Sequence, residues 1–282
     1  MAFPRFRRRP YTDSRSEPAR ETPGQFLRSL ALLALLAWAL RSLVVAPFSI
    51  PSGSMLPTMM IGDYLFVSKW PYGYSRASFP FGIPSFDGRI FGSAPERGDI
   101  VVFRGPAGAD VVKRVVGLPG DRIAVSGGRL ILNGREVPRQ RIEDFAMEVS
   151  ENSPCRVVPP ASPMIRPGPE GTAVCIYPAY RETLPGGATY VVLDQIDVSP
   201  ADDFPETMVP RDAVFVMGDN RDDSLDSRYS LGSGGMGFVP LDNVVGRAEL
   251  AFWSTDGSAS WINPISWFSA LRTDRLATDY HP

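Results

Sequence analysis

The 282-residue sequence is poor in three reactive side chains. Its only histidine is His281, next to the end of the chain. Of its 29 basic residues all but Lys69 and Lys113 are arginine, and there are only two cysteines, Cys155 and Cys175. A Ser-His-Asp triad therefore has no internal histidine to use. Zinc sites built on histidine pairs, four-cysteine sites and the H-E-x-x-H helix are excluded as well. A hydrolase built on this chain has to draw its base from a carboxylate, a tyrosine or one of two lysines. The formal net charge of -2 argues against the basic face of a nucleic-acid binder. No metal or cofactor is expected.

Proline (28) and glycine (26) are plentiful, which suits turns and β-structure better than a helical bundle. Charge asymmetry is local: seven arginines lie within the first 28 residues. Residues 1–25 are basic, lack apolar periodicity and read as a disordered tail. Residues 26–48 are mostly apolar, with Arg28 and Arg41 the only charges, and a bilayer span needs ~20 residues. Three readings of this stretch stand: a single transmembrane anchor, a cleaved signal peptide ending at Ala46, or a buried helix. Pro47 makes the cleavage reading unattractive. The arginine-rich side of the span should be cytoplasmic and the rest of the chain outside.

Beyond the span, short β-branched runs at 64–67, 99–103, 111–116 and 213–217 alternate with Gly/Pro turns. Asn133-Gly134 signals a hairpin. The chain thus reads as mainly β. A catalytic β domain is expected over 49–135 and 206–260, interrupted by a Pro-rich inserted subdomain at 136–205 that contains both cysteines. In an oxidising compartment Cys155 and Cys175 would close a disulfide loop; otherwise they are free thiols. The segment 261–282 carries Trp261, Trp267 and Phe268. It reads either as an interfacial helix or as a helix packed on the core.

Three segments carry candidate chemistry. Pro51-Ser52-Gly53-Ser54-Met55-Leu56-Pro57-Thr58 follows the span directly. It can present one serine as a nucleophile and set an N–H and a second hydroxyl beside it for an oxyanion, or it is an ordinary polar turn. Lys113 lies among Val111, Val112, Val115 and Val116, so it is either an edge-strand charge or a buried amine. In a chain that writes nearly every positive charge as arginine, a lysine that can lose its proton tilts towards chemistry. By contrast, Lys69 reads as a surface charge after a strand. The third segment, from Gly218 to Tyr229, is rich in Asp, Arg and Ser and fails as a calcium loop, because no glycine or distal glutamate is in register. It reads as a hydrogen-bonded loop able to hold an amine in place.

In order and content these segments resemble the type I signal peptidases, the bacterial leader peptidases. The matching stretches are 51–58, 97–103, 113–121 and 218–228, within a likeness covering roughly residues 25–135 and 208–250. The resemblance implies a Ser54 nucleophile and a neutral Lys113 general base. It places the oxyanion on the Ser54 N–H and the Ser52 hydroxyl, and has Ser224 orient the Lys113 amine. Asp226 would pair with Arg228, and Arg114 with the acidic loop opened by Gly218. Ile50, Met55 and Val112 would line pockets for small residues at the first and third positions before the cut. Asp223 stands where the family often has Asn, with little consequence expected. The implied activity is removal of signal peptides from exported preproteins at the bacterial cytoplasmic membrane. The implied partners are those signal peptides, the bilayer and the export machinery. A maturation peptidase with one substrate and a catalytically silent assembly protein are the alternatives. The apolar loop 79–86 could dip into the bilayer surface or pack on the core.

Overall fold

The structure is a computed structural model describing residues 22–156, 158–159, 164–196, 200–260 and 262–281. The basic tail up to residue 21, and Trp261, lie outside the described residues.

Helix α1 (Pro23–Ala39) begins earlier than composition suggested. Thr22 N–H donates to Gln25 Oε1 at 2.9 Å, and Gln25 N–H donates back to Thr22 Oγ1 at 3.3 Å. This is a reciprocal cap, and Pro23 sits in the first turn, where no amide partner is missed. Leucine and alanine, both good helix formers, carry the helix on. A π-helical turn, Leu40–Val44, continues it. The 22 residues Pro23–Val44 are long and apolar enough to cross a bilayer. The helical part ends four residues before the expected limit of 48. Val44 and Val45 are β-branched, and Pro47 lacks the N–H that a helix interior requires. The residues that follow form an edge strand instead. Helix α1 is one compact unit, and the residues from 40 onward are a second.

The second unit is built on a seven-stranded antiparallel sheet. Its strands are β1 (Val45–Ser49), β2 (Asp63–Ser68), β3 (Ile100–Arg104), β4 (Asp110–Gly117), β5 (Ala213–Met217), β6 (Val239–Pro240) and β7 (Val244–Ser254). Their order is β1-β2-β7-β3-β4-β5-β6. Strand β3 is apolar without alternation because both of its faces are buried. Ile100 and Val102 pack with Met55, Leu65 and Val245, whereas Val101 and Phe103 pack with Val115 and Val214. Register shifts in β7 near Ala248–Leu250 and Ala251–Trp253 bend this long strand.

Two edges of the sheet stay open where they matter. Among the described residues strand β1 pairs only with β2. Strand β5 pairs with β4 from Arg114 to Gly117, leaving residues 110–113 of β4 without a neighbour on that side.

A four-stranded sheet joins Phe204–Met208, Arg122–Ser126, Arg129–Leu132 and Arg135–Glu136. The hairpin at Asn133-Gly134 forms, with Leu132 opposite Arg135 and both turn residues at positive φ, 53° and 75°. Two three-stranded sheets, both within 139–193, and a two-stranded ribbon of Tyr74–Ser75 with Arg89–Ile90 complete the β-structure of the described residues. Cys155 and Cys175 are joined in a disulfide with a Cα–Cα distance of 5.5 Å.

Residues 262–281 do not form the expected helix. Helical structure is limited to the turn Ser266–Ser269, with Ile265 and Phe268 exposed, and a 3₁₀ turn at Thr273–Arg275. The chain then returns along β7: Ala251 N–H donates to Thr278 O at 3.0 Å and Tyr280 N–H to Glu249 O at 2.8 Å. Arg275 Nη2 donates to the buried Asp63 Oδ2 at 2.6 Å. That ion pair and the insertion of Tyr280 into the core hold the segment down.

Candidate active site

Ser54 sits in a short 3₁₀ turn, Gly53–Met55, between β1 and β2. The loop is stapled from both sides. Met55, Leu56 and Met59 are buried below it. Asn220 from the Asp-rich loop donates its N–H to Ser54 O and its Nδ2 to Gly53 O, each at 3.1 Å. The Ser54 amide lies at the start of the turn, where N–H groups have no internal acceptor. The Ser52 and Ser54 hydroxyl oxygens are 3.3 Å apart. Ser52 is exposed and Ser54 is buried.

Lys113, 59 residues further along the chain, reaches this turn from β4. Its Nζ donates to Ser54 Oγ at 2.7 Å and to Val112 O at 3.0 Å. The side chain is only 4% exposed. Burial drives its pKa down to about 8 from an ordinary 10.5, against the opposing pull of Asp226, Asp219 and Asp223. An amine in this state gives up its proton near neutral pH, which no arginine could do.

The loop after β5 supplies the scaffold. Arg114 makes a two-pronged contact to Asp219, Nε to Oδ1 at 2.8 Å and Nη2 to Oδ2 at 2.7 Å, and its guanidinium stacks over Tyr190 at 4.2 Å. Arg228 grips Asp226 in the same way, with both contacts at 2.9 Å. Burial alone would raise the Asp226 carboxyl. Arg228 and the Gly218 N–H, 2.9 Å from Oδ2, instead hold it below the usual carboxylate value. Gly218 has no room for a side chain: a Cβ there would come within 2.3 Å of Ser224 Oγ and 2.6 Å of Ser54 O.

Ile50, Met55 and Val112 line one cavity of about 520 Å³ together with Ser52, Ser54 and Lys113. Strand β1 forms one wall and residues 110–113 of β4 the other.

Two expectations need correcting. Ser224 does not hold the Lys113 amine, whose partners are Ser54 Oγ and Val112 O: its buried hydroxyl lies against Gly218 and bears instead on the Asp226 carboxyl, whose pKa it helps to hold down. Lys69 is not a surface charge. It is 4% exposed and its Nζ donates to Ser78 O, because the chain after β2 folds back over it in short 3₁₀ turns, Trp70–Tyr72 and Arg76–Ser78.

Residues that sequence reasoning missed lie in the inserted region. Arg156 pairs with Asp223, with Nη2 to Oδ1 at 2.9 Å, and lies over Gly53, where a Cβ would meet its Cδ at 2.6 Å. Glu182 takes both Nη atoms of Arg221 in a fully buried pair. These contacts clamp the Asp-rich loop and the serine turn from the insertion side. The departure at Asp223 was the one available signal, since a carboxylate in place of an amide calls for a cation.

Comparison with known proteins identifies the family. The family described as "Signal peptidase, peptidase S26" matches residues 24–253, and the chain belongs to that family of peptidases. Within it, similar relatives are signal peptidase I proteins. Those of Rickettsia canadensis (strain McKiel) and Rickettsia prowazekii (strain Madrid E) are each 34% identical over 275 residues, covering 91% of this chain and 93% of the relative. The crystal structure of a signal peptidase I from Enterococcus faecalis V583 matches at 26% identity. It covers 55% of this chain and 97% of that one, with a TM-score of 0.27.

Proposed function

We propose that this protein is a membrane-anchored endopeptidase that removes N-terminal signal peptides from exported preproteins, with Ser54 as nucleophile and neutral Lys113 as general base. The observation that carries the proposal is the 2.7 Å contact between Lys113 Nζ and Ser54 Oγ in the cleft between β1 and β4.

An extended peptide fits between the open edge of β1 and residues 110–113 of β4, pairing through its main chain. Ile50, Met55 and Val112, which line the cleft, would receive small side chains at the first and third positions before the cut. Lys113 accepts the Ser54 proton as Oγ attacks the scissile carbonyl carbon. The oxyanion settles on the Ser54 N–H and the Ser52 hydroxyl. The Lys113 ammonium then passes its proton to the leaving nitrogen, the C–N bond breaks, and an acyl-enzyme remains. Water, deprotonated by the regenerated amine, attacks that ester, and Ser54 takes back a proton as the signal peptide leaves as a carboxylate. Ser224 supports the site by walling in Gly218. Asp226–Arg228 and Arg114–Asp219 keep the surrounding loop rigid.

The Pro23–Val44 helix would anchor the chain in the bacterial cytoplasmic membrane, with the arginine-rich end inside and the β-rich unit outside. Substrates reach that surface from the export machinery with the cut site at the bilayer boundary. Water is scarce there, and a neutral amine is an economical base. Purified protein in detergent should cleave a preprotein at its signal junction, whereas Ser54→Ala and Lys113→Ala should stay folded and inactive. Cleavage by Lys113→Ala would overturn the proposal.

A further inference from the structure

The cleft does not end at the small-residue pockets. Its far end is lined by Arg41 and Asp110. Arg41 comes from the π-helical turn Leu40–Val44, and Asp110 is the first residue of β4. Asp110 is already paired with Arg104 at 3.2 Å. Arg41 is exposed and has no hydrogen-bond acceptor among the described residues. Lys69 lies close enough for Arg41, Asp110 and Arg104 all to bear on its charge. Behind the cleft wall, Arg104 pairs with Asp110 and Lys69 is buried nearby, so no carboxylate of the described residues there is left over to neutralise Arg41. Of these groups only Arg41 and Asp110 line the cleft itself, and with Asp110 already neutralised by Arg104, Arg41 is the group free to bind.

We propose that Arg41 forms an anion-preferring subsite for the peptide segment upstream of the small-residue pockets, so that the enzyme discriminates by charge at the fourth to sixth residues before the cut. The direction follows from the cleft. The scissile carbonyl lies at Ser54 and Lys113, and the apolar pockets at Ile50 and Val112 take the residues before it. Asp110 is three strand positions beyond Lys113, ~10 Å along an extended chain. A peptide in that path brings its fourth to sixth residues to the guanidinium. Arginine offers a planar fork to a carboxylate or to main-chain carbonyls, and a charge-assisted contact in a partly enclosed cleft outweighs one in open water.

This subsite rests on the signal-peptidase reading, and the test separates the two. The full chain in zwitterionic detergent is given a preprotein carrying Gln, Glu or Lys at the fifth residue before the cut. At low ionic strength wild type should cleave the Glu form about tenfold more efficiently than the Lys form, with Gln between, and salt should narrow the gap. Arg41→Gln should bring the Glu-to-Lys ratio to within about twofold, and Arg41→Lys should keep part of it. Asp110→Asn, which removes the opposing carboxylate, should widen the ratio. It also keeps the test open should Arg41→Gln fail to fold.

A wild-type enzyme that cuts all three forms equally would overturn the subsite and leave the peptidase reading intact. So would an unchanged ratio in Arg41→Gln. If Arg41→Gln instead slowed all three forms equally, and only on vesicles containing anionic lipid, the guanidinium would serve a lipid phosphate and the peptide subsite would be wrong. Failure of wild type to cleave even the Gln form would overturn both readings.

Discussion

The two lysines of this chain occupy similar environments and have different partners. Both are buried, and in both burial is the first cause of a pKa lowered to about 8. Lys69 donates to a main-chain carbonyl, Ser78 O, beneath folded-back turns. Lys113 donates to a serine hydroxyl in an open cleft. A depressed pKa therefore does not by itself make a base. What distinguishes Lys113 is its contact with the Ser54 hydroxyl in an open cleft, which is what the proposed mechanism requires of a base. Both amines share one linkage consequence. Between pH about 8 and 10.5 the unfolded chain holds more protons than the folded one, so each lysine makes stability rise with pH across that window.

The largest effect that tests this contrast is at Lys113 itself. Lys113→Arg keeps the charge and the stem but cannot release a proton, so cleavage should fall on the order of 10⁴-fold or more, as for Lys113→Ala and Ser54→Ala. Retained turnover in a preprotein assay would erase the distinction between the lysines. Ser52→Ala removes one oxyanion donor and should cost about 10²–10³ in kcat, with little change in KM. An unchanged rate would take Ser52 out of the site.

Asp226→Asn leaves Arg228 buried without its counter-charge and should destabilise the fold by about 3–5 kcal/mol in denaturant unfolding. Because the folded Asp226 pKa lies below 3.8, its share of stability is present above that value and is lost as pH falls through the lowered one. The acid limb of the stability curve should therefore be shallower in Asp226→Asn. The smallest effect should come from Lys69→Met, which removes a buried amine that does not line the cleft. It should change kcat/KM by no more than a few-fold.

The strands that frame the site were legible because they are β-branched runs bounded by Gly and Pro, and because β3 is buried on both faces. The Asn-Gly hairpin was legible for the same local reason. The site residues were legible as motifs, and the sheet brings Ser54, Lys113, Ile50, Met55 and Val112 to one cleft. The rest depends on contacts that no local pattern encodes. Lys69 follows a strand and looks exposed until the turns after it are folded. Arg156, Glu182 and Arg275 are ordinary arginines and glutamates in the sequence. They become clamps only through partners at 223, 221 and 63. The resemblance gave Ser224 to the amine, yet in this arrangement the Ser54 hydroxyl and the Val112 carbonyl already satisfy it. The helix end at Val44 was misplaced because hydropathy continues through Phe48, whereas backbone preference does not.

The central claim is that one buried amine, Lys113, is the base. The pH dependence of kcat/KM for preprotein cleavage tests it most directly, measured on wild type and Lys69→Met side by side. The account predicts an ascending limb near pH 8 in both proteins, since kcat/KM reports the free enzyme's base. A limb near the ordinary lysine value of 10.5, or one that shifts when Lys69 is replaced, would contradict it.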